Sequence, residues 1–452
     1  MSSAANALLS REMLAGWGRT PIIQTNVASP REDDFPHYIS TSRKVIARGL
    51  GRAYGDSAVC SGGSTLVTGL LDSVESISDG RIVLGAGVSI DALLKAIVPL
   101  GWFISVTPGT RFVTVGGAIA ADIHGKNHHH DGSFGDYVEW IEMILADGRK
   151  VKASSSVHAD LFWSTIGGMG LTGVIIRASI RLQPIETSRI NVLTTRHANL
   201  DELMSAMIER DRTHRYTVAW VDTLASGKSF GRSVLMAGEH AEPSTLSGRA
   251  SRNRLDYDPK VRLGIPRRAD IKLVQSTSVR AFNEFWYRKS PRKPAVSLET
   301  ISKFFYPLDG LQDWNRLYGS LGFVQYQFVI PDSRSELVRD FLRLMSVNRI
   351  PAFLSVLKRF GAAGHGWMSF PMAGWTLAVD IPADTDGLGR ILDEFDERVA
   401  SAGGRVYLAK DSRMRPSVIP AMYPRLGEFQ RLRREMDPNG IFSSHQSLRL
   451  GL

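Results

Sequence analysis

Three stretches of the chain are almost stripped of side chains, and this limits what the polypeptide can build. The first, Ala47-Arg48-Gly49-Leu50-Gly51-Arg52-Ala53-Tyr54-Gly55-Asp56-Ser57, follows a β-type run over Lys44 to Ala47. A glycine-dense turn after a strand bares consecutive backbone N–H groups, and such concave nests bind phosphate without a cationic side chain. The second runs from Thr107-Pro108-Gly109-Thr110 to Thr114-Val115-Gly116-Gly117-Ala118-Ile119-Ala120-Ala121-Asp122-Ile123-His124-Gly125. There Thr114 reads as a helix N-cap before a run of very small residues. The third is Thr165 to Gly173. Repeated within one region, such segments predict a phosphate-bearing cofactor lying against bare backbone. A Rossmann turn would open directly into a helix that receives the pyrophosphate. Here Ser57 to Ser64 is a further Gly/Ser/Cys run leading to a strand at Thr65 to Thr68, so the Rossmann reading fails on context.

A length of 452 residues predicts two or three domains. Hydrophobic residues at 43% and charged residues at 22% exclude disorder, collagen-like repeats and a coiled coil. No apolar run reaches the roughly 18 to 20 residues of a membrane-spanning helix. The first twenty residues lack a basic start, and Arg11 and Glu12 interrupt their apolar part, so no signal peptide is expected. The single cysteine, Cys60, excludes an internal disulfide or a cysteine metal cluster and reads as a small buried apolar residue.

Glycine-rich texture with short strands at Arg81 to Leu84 and Val174 to Leu182 extends to about Pro184. Between about Ile190 and Gly403 the pattern becomes α+β, with strands at Thr217 to Asp222 and Gly322 to Pro331 and helices at Glu336 to Val347 and Leu388 to Ala402. The closing segment holds Tyr407, Lys410 and Asp411, then a charged helix around Glu428 to Met436. It is too short to fold alone and must return to an earlier region. The implied division is 1–189, 190–403 and 404–452.

The net charge of +10 calls for an anionic partner: nucleic acid, a membrane surface or a phosphorylated small molecule. Its densest cluster is Arg249, Arg252, Arg254, Lys260, Arg262, Arg267, Arg268 and Lys272 against Asp256, Asp258 and Asp270, followed by Arg288, Lys289, Arg292 and Lys293. Pro and Gly without apolar periodicity make both stretches exposed loops. Nucleic-acid binding would need interleaved aromatics or a recognised module, and these loops hold neither. His128, His129 and His130, consecutive and unmatched by a carboxylate–histidine pattern, suit a loop better than a metal site.

Gly49 to Asp56, Pro108 to Gly117, and His124-Gly125-Lys126-Asn127-His128 with Gly132-Ser133-Phe134-Gly135 resemble the FAD-binding domain of the vanillyl-alcohol-oxidase type. Trp286-Tyr287-Arg288-Lys289, Gln325 to Pro331, Tyr407 through Arg413 and Ala421 to Arg425 narrow the resemblance to one branch, the flavoprotein halves of bacterial polyprenyl-phosphoryl-ribose epimerases. The resemblance implies an α+β, two-domain flavoprotein whose FAD-binding domain is split around an α+β substrate domain. By matched position, Ala47 to Ser57, Gly109, Thr114 to Gly117, Ala121 to His124, Ile175 and Tyr407 would touch FAD. Oxidases of the superfamily often carry a flavin-linked histidine in the first glycine loop. This chain has Tyr54 in that region, so non-covalent FAD is expected. Some relatives carry a cysteine where this chain has Ala378, so covalent capture of a thiol-reactive ligand is not expected there.

The resemblance further implies oxidation of the 2′-hydroxyl of a polyprenyl-phosphoryl pentose to a ketone, with a separate nicotinamide-dependent short-chain reductase completing epimerisation to the arabinose form used in cell-envelope glycans. Lys410 is the first candidate for stabilising anionic charge or orienting the hydroxyl. His124 and Lys126 follow, with cofactor packing the competing role for His124. Tyr54, Trp220, Tyr287, Gln327 and Lys358 join Lys410 as substrate-pocket candidates, core packing being the competing role for Trp220 and Tyr287. Basic loops would dock the protein peripherally on anionic lipid, at about 1 kcal/mol per suitably placed Lys or Arg. The competing functions are a sugar-alcohol or aldonolactone oxidase with a soluble substrate and a basic nucleic-acid-binding protein.

Overall fold

The computed structural model describes residues 9–261, 263–265 and 272–452. The first eight residues, and Arg262, Arg267, Arg268 and Asp270 of the basic stretch, lie outside the described residues.

Two sheets carry the glycine-rich half. In the first, Val45–Arg48 and Ile23–Ala28 both run parallel to Ser64–Val67, and Ser10–Leu14 pairs antiparallel with Ile23–Ala28. In the second, the long strand Val174–Pro184 pairs antiparallel with Arg81–Gly85, Val138–Ile144 and Trp102–Ile104. From Ile176 on it alternates, with Ile176, Ala178, Ile180 and Leu182 on the core face and Arg177, Ser179, Arg181 and Gln183 on the other. Thr114 caps the short helix Val115–Ala120 by accepting from the Gly117 amide at 3.2 Å.

The third sheet has eight antiparallel-paired strands in the order Ala295–Thr300, Arg189–His197, Ser233–His240, Tyr216–Val221, Ser355–Phe360, Gly374–Pro382, Phe323–Ile330 and Arg405–Val406. Period-two alternation divides Phe323–Ile330 between two environments. Tyr326 and Phe328 meet Phe341 of the helix Glu336–Val347 and Phe395 of the helix Leu388–Ser401, with ring centroids 5.3–6.2 Å apart. Gln325 and Gln327 point to the other face, toward the glycine-rich half. Helices therefore cover one face of this sheet, and the opposite face carries polar side chains inward.

The closing segment touches both halves. Arg405–Val406 extends the eight-stranded sheet beside Phe328 and Val329, whereas the Val45 amide donates to the Ile441 carbonyl at 2.7 Å and the Ser443 amide to the Val45 carbonyl at 3.0 Å. Two local expectations change. The basic stretches are not loops throughout: Arg249 and Arg252 lie in the short helix Gly248–Arg252. Arg288 and Lys289 lie in the last turn of the helix Ser276–Lys289, because Val279 and Asn283 bury one face and Phe282 stacks on Trp286 one turn on. His128–Asp131 is a helical turn, closed by the Asn127 side-chain amide donating to Asp131 at 2.5 Å. Its histidines diverge: His128 packs on Phe360, His129 bonds the His214 carbonyl and His130 meets Asp131.

Arg449, in the helix His445–Leu450, binds Asp56 at 2.9 Å and Asp411 at 2.8 Å. Both carboxylates are almost wholly buried, at 0% and 2% side-chain exposure. Arg449→Met leaves two buried carboxylates without their cation and is expected to cost about 3–5 kcal/mol, read as a lowered midpoint in urea unfolding.

Candidate active site

The cavity lies between the glycine loop, the helix Val115–Ala120, the inward face of the eight-stranded sheet and the Tyr407–Lys410 turn. The loop is pinned at one end, where the Tyr54 amide donates to the Ala409 carbonyl at 2.9 Å. A Cβ on Gly55 would fall 1.9 Å from the Asp411 carbonyl oxygen, so only glycine allows this approach. A Cβ on Gly49 would fall 2.2 Å from the Thr114 hydroxyl oxygen. The bare backbone of the loop thus lies against the Thr114 side chain that caps the helix. The amides of Gly49 to Ala53 find no acceptor among the described residues. The first helical amides are used internally: Val115 donates to Val88, Gly116 to Ala86 and Gly117 to Thr114. The loop therefore supplies the free donors, and the helix supplies closeness.

Of the cofactor candidates, Ala47, Gly49, Leu50, Gly51, Arg52, Ala53, Tyr54, Ser57, Gly109, Thr114, Gly116, Gly117, Ala121, Ile123, His124, Ile175 and Tyr407 line the cavity. Five do not. Arg48 turns away to donate to the carbonyls of Ala15 and Ala58. Gly55 is packed on Asp411, Asp56 is held by Arg449, and Val115 is a core residue. Asp122 ties the segment together instead. It accepts from the hydroxyls of Ser133 and Ser369 and the Gly135 amide, and burial raises its carboxyl to about 6.

Gln327, Lys358, Lys410 and Tyr54 converge on the cavity. Lys126 does not line it. Its ammonium donates to the Phe304 carbonyl and lies 4.2 Å from the centroid of the Phe304 ring, and burial pushes it down to about 7. Trp220 and Tyr287 are also outside. Trp220 is buried in the strand Tyr216–Val221, and Tyr287 packs under Arg196 and Arg232 with its hydroxyl toward the His197 carbonyl.

Gln327 sets the state of His124. Its side-chain nitrogen reaches Thr376 Oγ1 at 2.9 Å and His124 Nε2 at 3.1 Å. An amide has two hydrogens, so His124 Nε2 accepts and its proton sits on Nδ1. Burial first, then the charges of Lys358 and Lys410, hold the imidazole well below its usual range, and it stays neutral. Burial and the neighbouring cations Lys410 and Lys126 lower Lys358 to about 7.

Several lining residues were not singled out from sequence, among them Trp17, Thr68, Leu308, Asp309, Trp314, Gln325, Leu354 and Val356. Gln325 and Val356 stand two residues from Gln327 and Lys358, so strand alternation could have found them. Trp17 carried no local signal. It lies beneath Arg52, whose guanidinium carbon sits 3.8 Å from a ring centroid. FAD fits what is present: free loop amides suit a pyrophosphate, and His124 Nδ1 with the side-chain oxygens of Gln325 and Gln327 are buried polar atoms lacking partners among the described residues.

A family profile described as an FAD binding domain matches residues 38–154, and one described as D-arabinono-1,4-lactone oxidase matches residues 383–450. Decaprenylphosphoryl-β-D-ribose oxidase of Mycolicibacterium smegmatis is 39% identical over 449 residues, covering 97% of each chain. The chain belongs to the decaprenylphosphoryl-β-D-ribose oxidase family. An uncharacterized protein of Streptomyces coelicolor is 37% identical across its whole length and 81% of this chain. A D-lactate dehydrogenase of Archaeoglobus fulgidus is 30% identical over 36% of this chain and 39% of its own. As a member of this family, the protein is an FAD-dependent oxidoreductase acting on CH–OH groups.

Gly49→Val drives a branched side chain into the Thr114 cap. It is expected to weaken FAD retention about tenfold or more, the loss of roughly 1.4 kcal/mol of binding. Flavin content after gel filtration, beside an unchanged far-ultraviolet circular dichroism spectrum, checks this.

Proposed function

We propose that this chain oxidises the 2′-hydroxyl of a polyprenyl-phosphoryl-β-D-ribose to the 2′-keto sugar, with FAD bound non-covalently. The observation that carries this reading is similarity along nearly the full chain to an oxidase of decaprenylphosphoryl-β-D-ribose. Two lysines lining one cavity with the loop that would hold the flavin support it. Bound FAD supplies the hydride acceptor. The protein must orient the alcohol, exclude water and stabilise negative charge where it develops.

Lys410 is suited to the last task. Its ammonium lies 5.4 Å from the Tyr54 ring centroid and has no hydrogen-bond acceptor among the described residues, so its protons are available to a substrate oxygen. Lys358 has only a long bond, 3.5 Å, to the Gly125 carbonyl, and as a compact cation it suits the phosphodiester. Neutral His124, fixed by Gln327, orients without exchanging a proton at neutral pH. The resulting ketone is then reduced by a second protein, a nicotinamide-dependent short-chain reductase.

A polyprenyl tail needs an apolar approach. Among the described residues no helix is long and apolar enough to cross a membrane. Phe285 and Val296 are 60% and 71% exposed, close in sequence to Arg288, Lys289, Arg292 and Lys293, a combination suited to peripheral docking on anionic lipid.

Anaerobic mixing tests the proposal. Polyprenyl-phosphoryl ribose is expected to bleach the flavin, whereas free sugars and aldonolactones leave it oxidised; the reverse pattern would establish the soluble-substrate oxidase. Lys410→Met is expected to retain FAD but to slow flavin reduction by on the order of 10²–10³, measured by stopped flow. Since the Lys358 ammonium is lost as pH rises through about 7, KM should climb over that interval. In Lys358→Ala, KM should be higher throughout and flat with pH.

A further inference from the structure

An arginine on the glycine loop is held in place by aromatic rings instead of by acids. The guanidinium carbon of Arg52, a cavity-lining residue, sits 3.8 Å from a ring centroid of Trp17 and 5.5 Å from that of Phe112. Trp17 is fixed in turn. Its amide donates to the Ala53 carbonyl at 2.8 Å, its carbonyl accepts from the Asn315 side chain at 2.9 Å, and the Trp314 ring meets it edge-on at 5.9 Å. A Cβ on Gly16, one residue earlier, would fall 2.2 Å from the Gly55 carbonyl oxygen, so this platform lies tight against the loop that carries Arg52.

No protein group claims the guanidinium fork. Its buried Nε has no hydrogen-bond partner, and no carboxylate lies within 4.0 Å of the group among the described residues. The two acids that act on its charge are engaged elsewhere: Asp309 accepts from the Thr110 hydroxyl at 2.7 Å and the Arg111 amide at 2.8 Å, and Asp313 pairs with Arg316. Neighbouring arginines show the contrast. Arg48 donates to the carbonyls of Ala15 and Ala58, and Arg111 pairs with Asp91 and Asp309. Partial enclosure of a cation is unfavourable unless an anion meets it. The amides of Gly49 to Ala53, likewise without acceptors, belong to the same loop. A planar fork beside a row of free amides matches the oxygens of a phosphate ester. A carboxylate would fill the fork and leave the amides unmatched.

We propose that Arg52 is a phosphate receptor of this cavity, its guanidinium preset on Trp17 and Phe112 to take the oxygens of a phosphate ester, with Trp17 as its positioning residue. The inference rests on the reading of the cavity as a site for FAD and a phosphorylated lipid, and deepens it. Stacking immobilises the side chain beforehand, so little freedom is lost when the anion arrives. Unlike Lys358, a point charge, the fork fixes orientation as well as position. The flavin pyrophosphate and the substrate phosphodiester present the same chemistry to it.

Calorimetric titrations in two arms test the proposal and separate the sources. In the first, full-length protein stripped of flavin is titrated with FAD and with riboflavin, which has no phosphate. In the second, the FAD-loaded protein is titrated with farnesyl phosphate, a lipid phosphate with no sugar to oxidise, and with farnesol. Arg52→Met is expected to weaken the phosphorylated ligand by about tenfold or more in at least one arm, with riboflavin or farnesol unchanged. Loss in the first arm assigns the fork to the pyrophosphate, and loss in the second to the lipid phosphate. Trp17→Leu should reproduce the loss, and Trp17→Phe, which keeps a stacking face, should restore most of the affinity. Arg52→Lys keeps the charge without the fork and should recover only part of it. Unchanged binding of both phosphates in Arg52→Met overturns the proposal, as does equal weakening of phosphorylated and unphosphorylated ligands. Should the methionine variant fail to fold, full affinity for both phosphates in Arg52→Lys overturns it. No turnover is measured, so failure of the proposed oxidation would appear separately, as an unaltered protein whose flavin is not bleached.

Discussion

The cavity exists because two distant pieces of backbone touch. The Tyr54 amide reaches the Ala409 carbonyl, and Gly55 lies so close to Asp411 that a single methyl group would part them. This contact brings a loop from near the start of the chain to a turn from near its end, and Lys410 comes with it. Arg449 secures the junction by neutralising Asp56 from the loop and Asp411 from the turn. Cofactor cradle and reactive ammonium are therefore held by one joint. A disturbance there would be felt in cofactor retention and in chemistry together.

The second organising feature is buried positive charge. Lys126, Lys358 and Lys410 are enclosed in the same neighbourhood, and burial lowers the proton affinity of each. Enclosing an ammonium costs several kcal/mol unless something repays it, so a fold selected for stability alone would not keep three. A phosphodiester substrate and charge developing during alcohol oxidation are both suitable compensation. Neutral His124 belongs to the same electrostatic scheme, because the lysines and its buried setting disfavour a further proton.

The eight-stranded sheet explains how a protein of this size keeps so polar a cavity. Aromatic and aliphatic side chains from alternate positions pack against two amphipathic helices, and that face carries the hydrophobic stabilisation. The other alternate positions are released for function. Gln325, Gln327, Lys358, Thr376, Ala378 and Asp380 form a polar surface on the back of a rigid core. Placing reactive groups on strands instead of long loops fixes their spacing.

Local pattern alone was enough for much of this architecture. The helix Glu336–Val347 was bounded correctly from apolar periodicity, and Thr114 was recognisable as a cap because hydroxyl residues before small-residue helices play that part. The glycine loop announced a close backbone approach, since glycine there serves no packing purpose. Other positions carried no such signal. Lys126 and Lys410 are both lysines beside flavin-type motifs, yet only one lines the cavity, because the carbonyl and ring of Phe304 capture the other. Trp17 and Asp309 join the site from segments without chemical signature, and Asp122 and Asp56 serve as struts. Sequence fixes backbone conformation and the chemical repertoire, since those follow from neighbours along the chain. Which members of that repertoire meet, and with what charge, was decided by the tertiary structure, because burial and long-range approach set the dielectric and the partners that determine both.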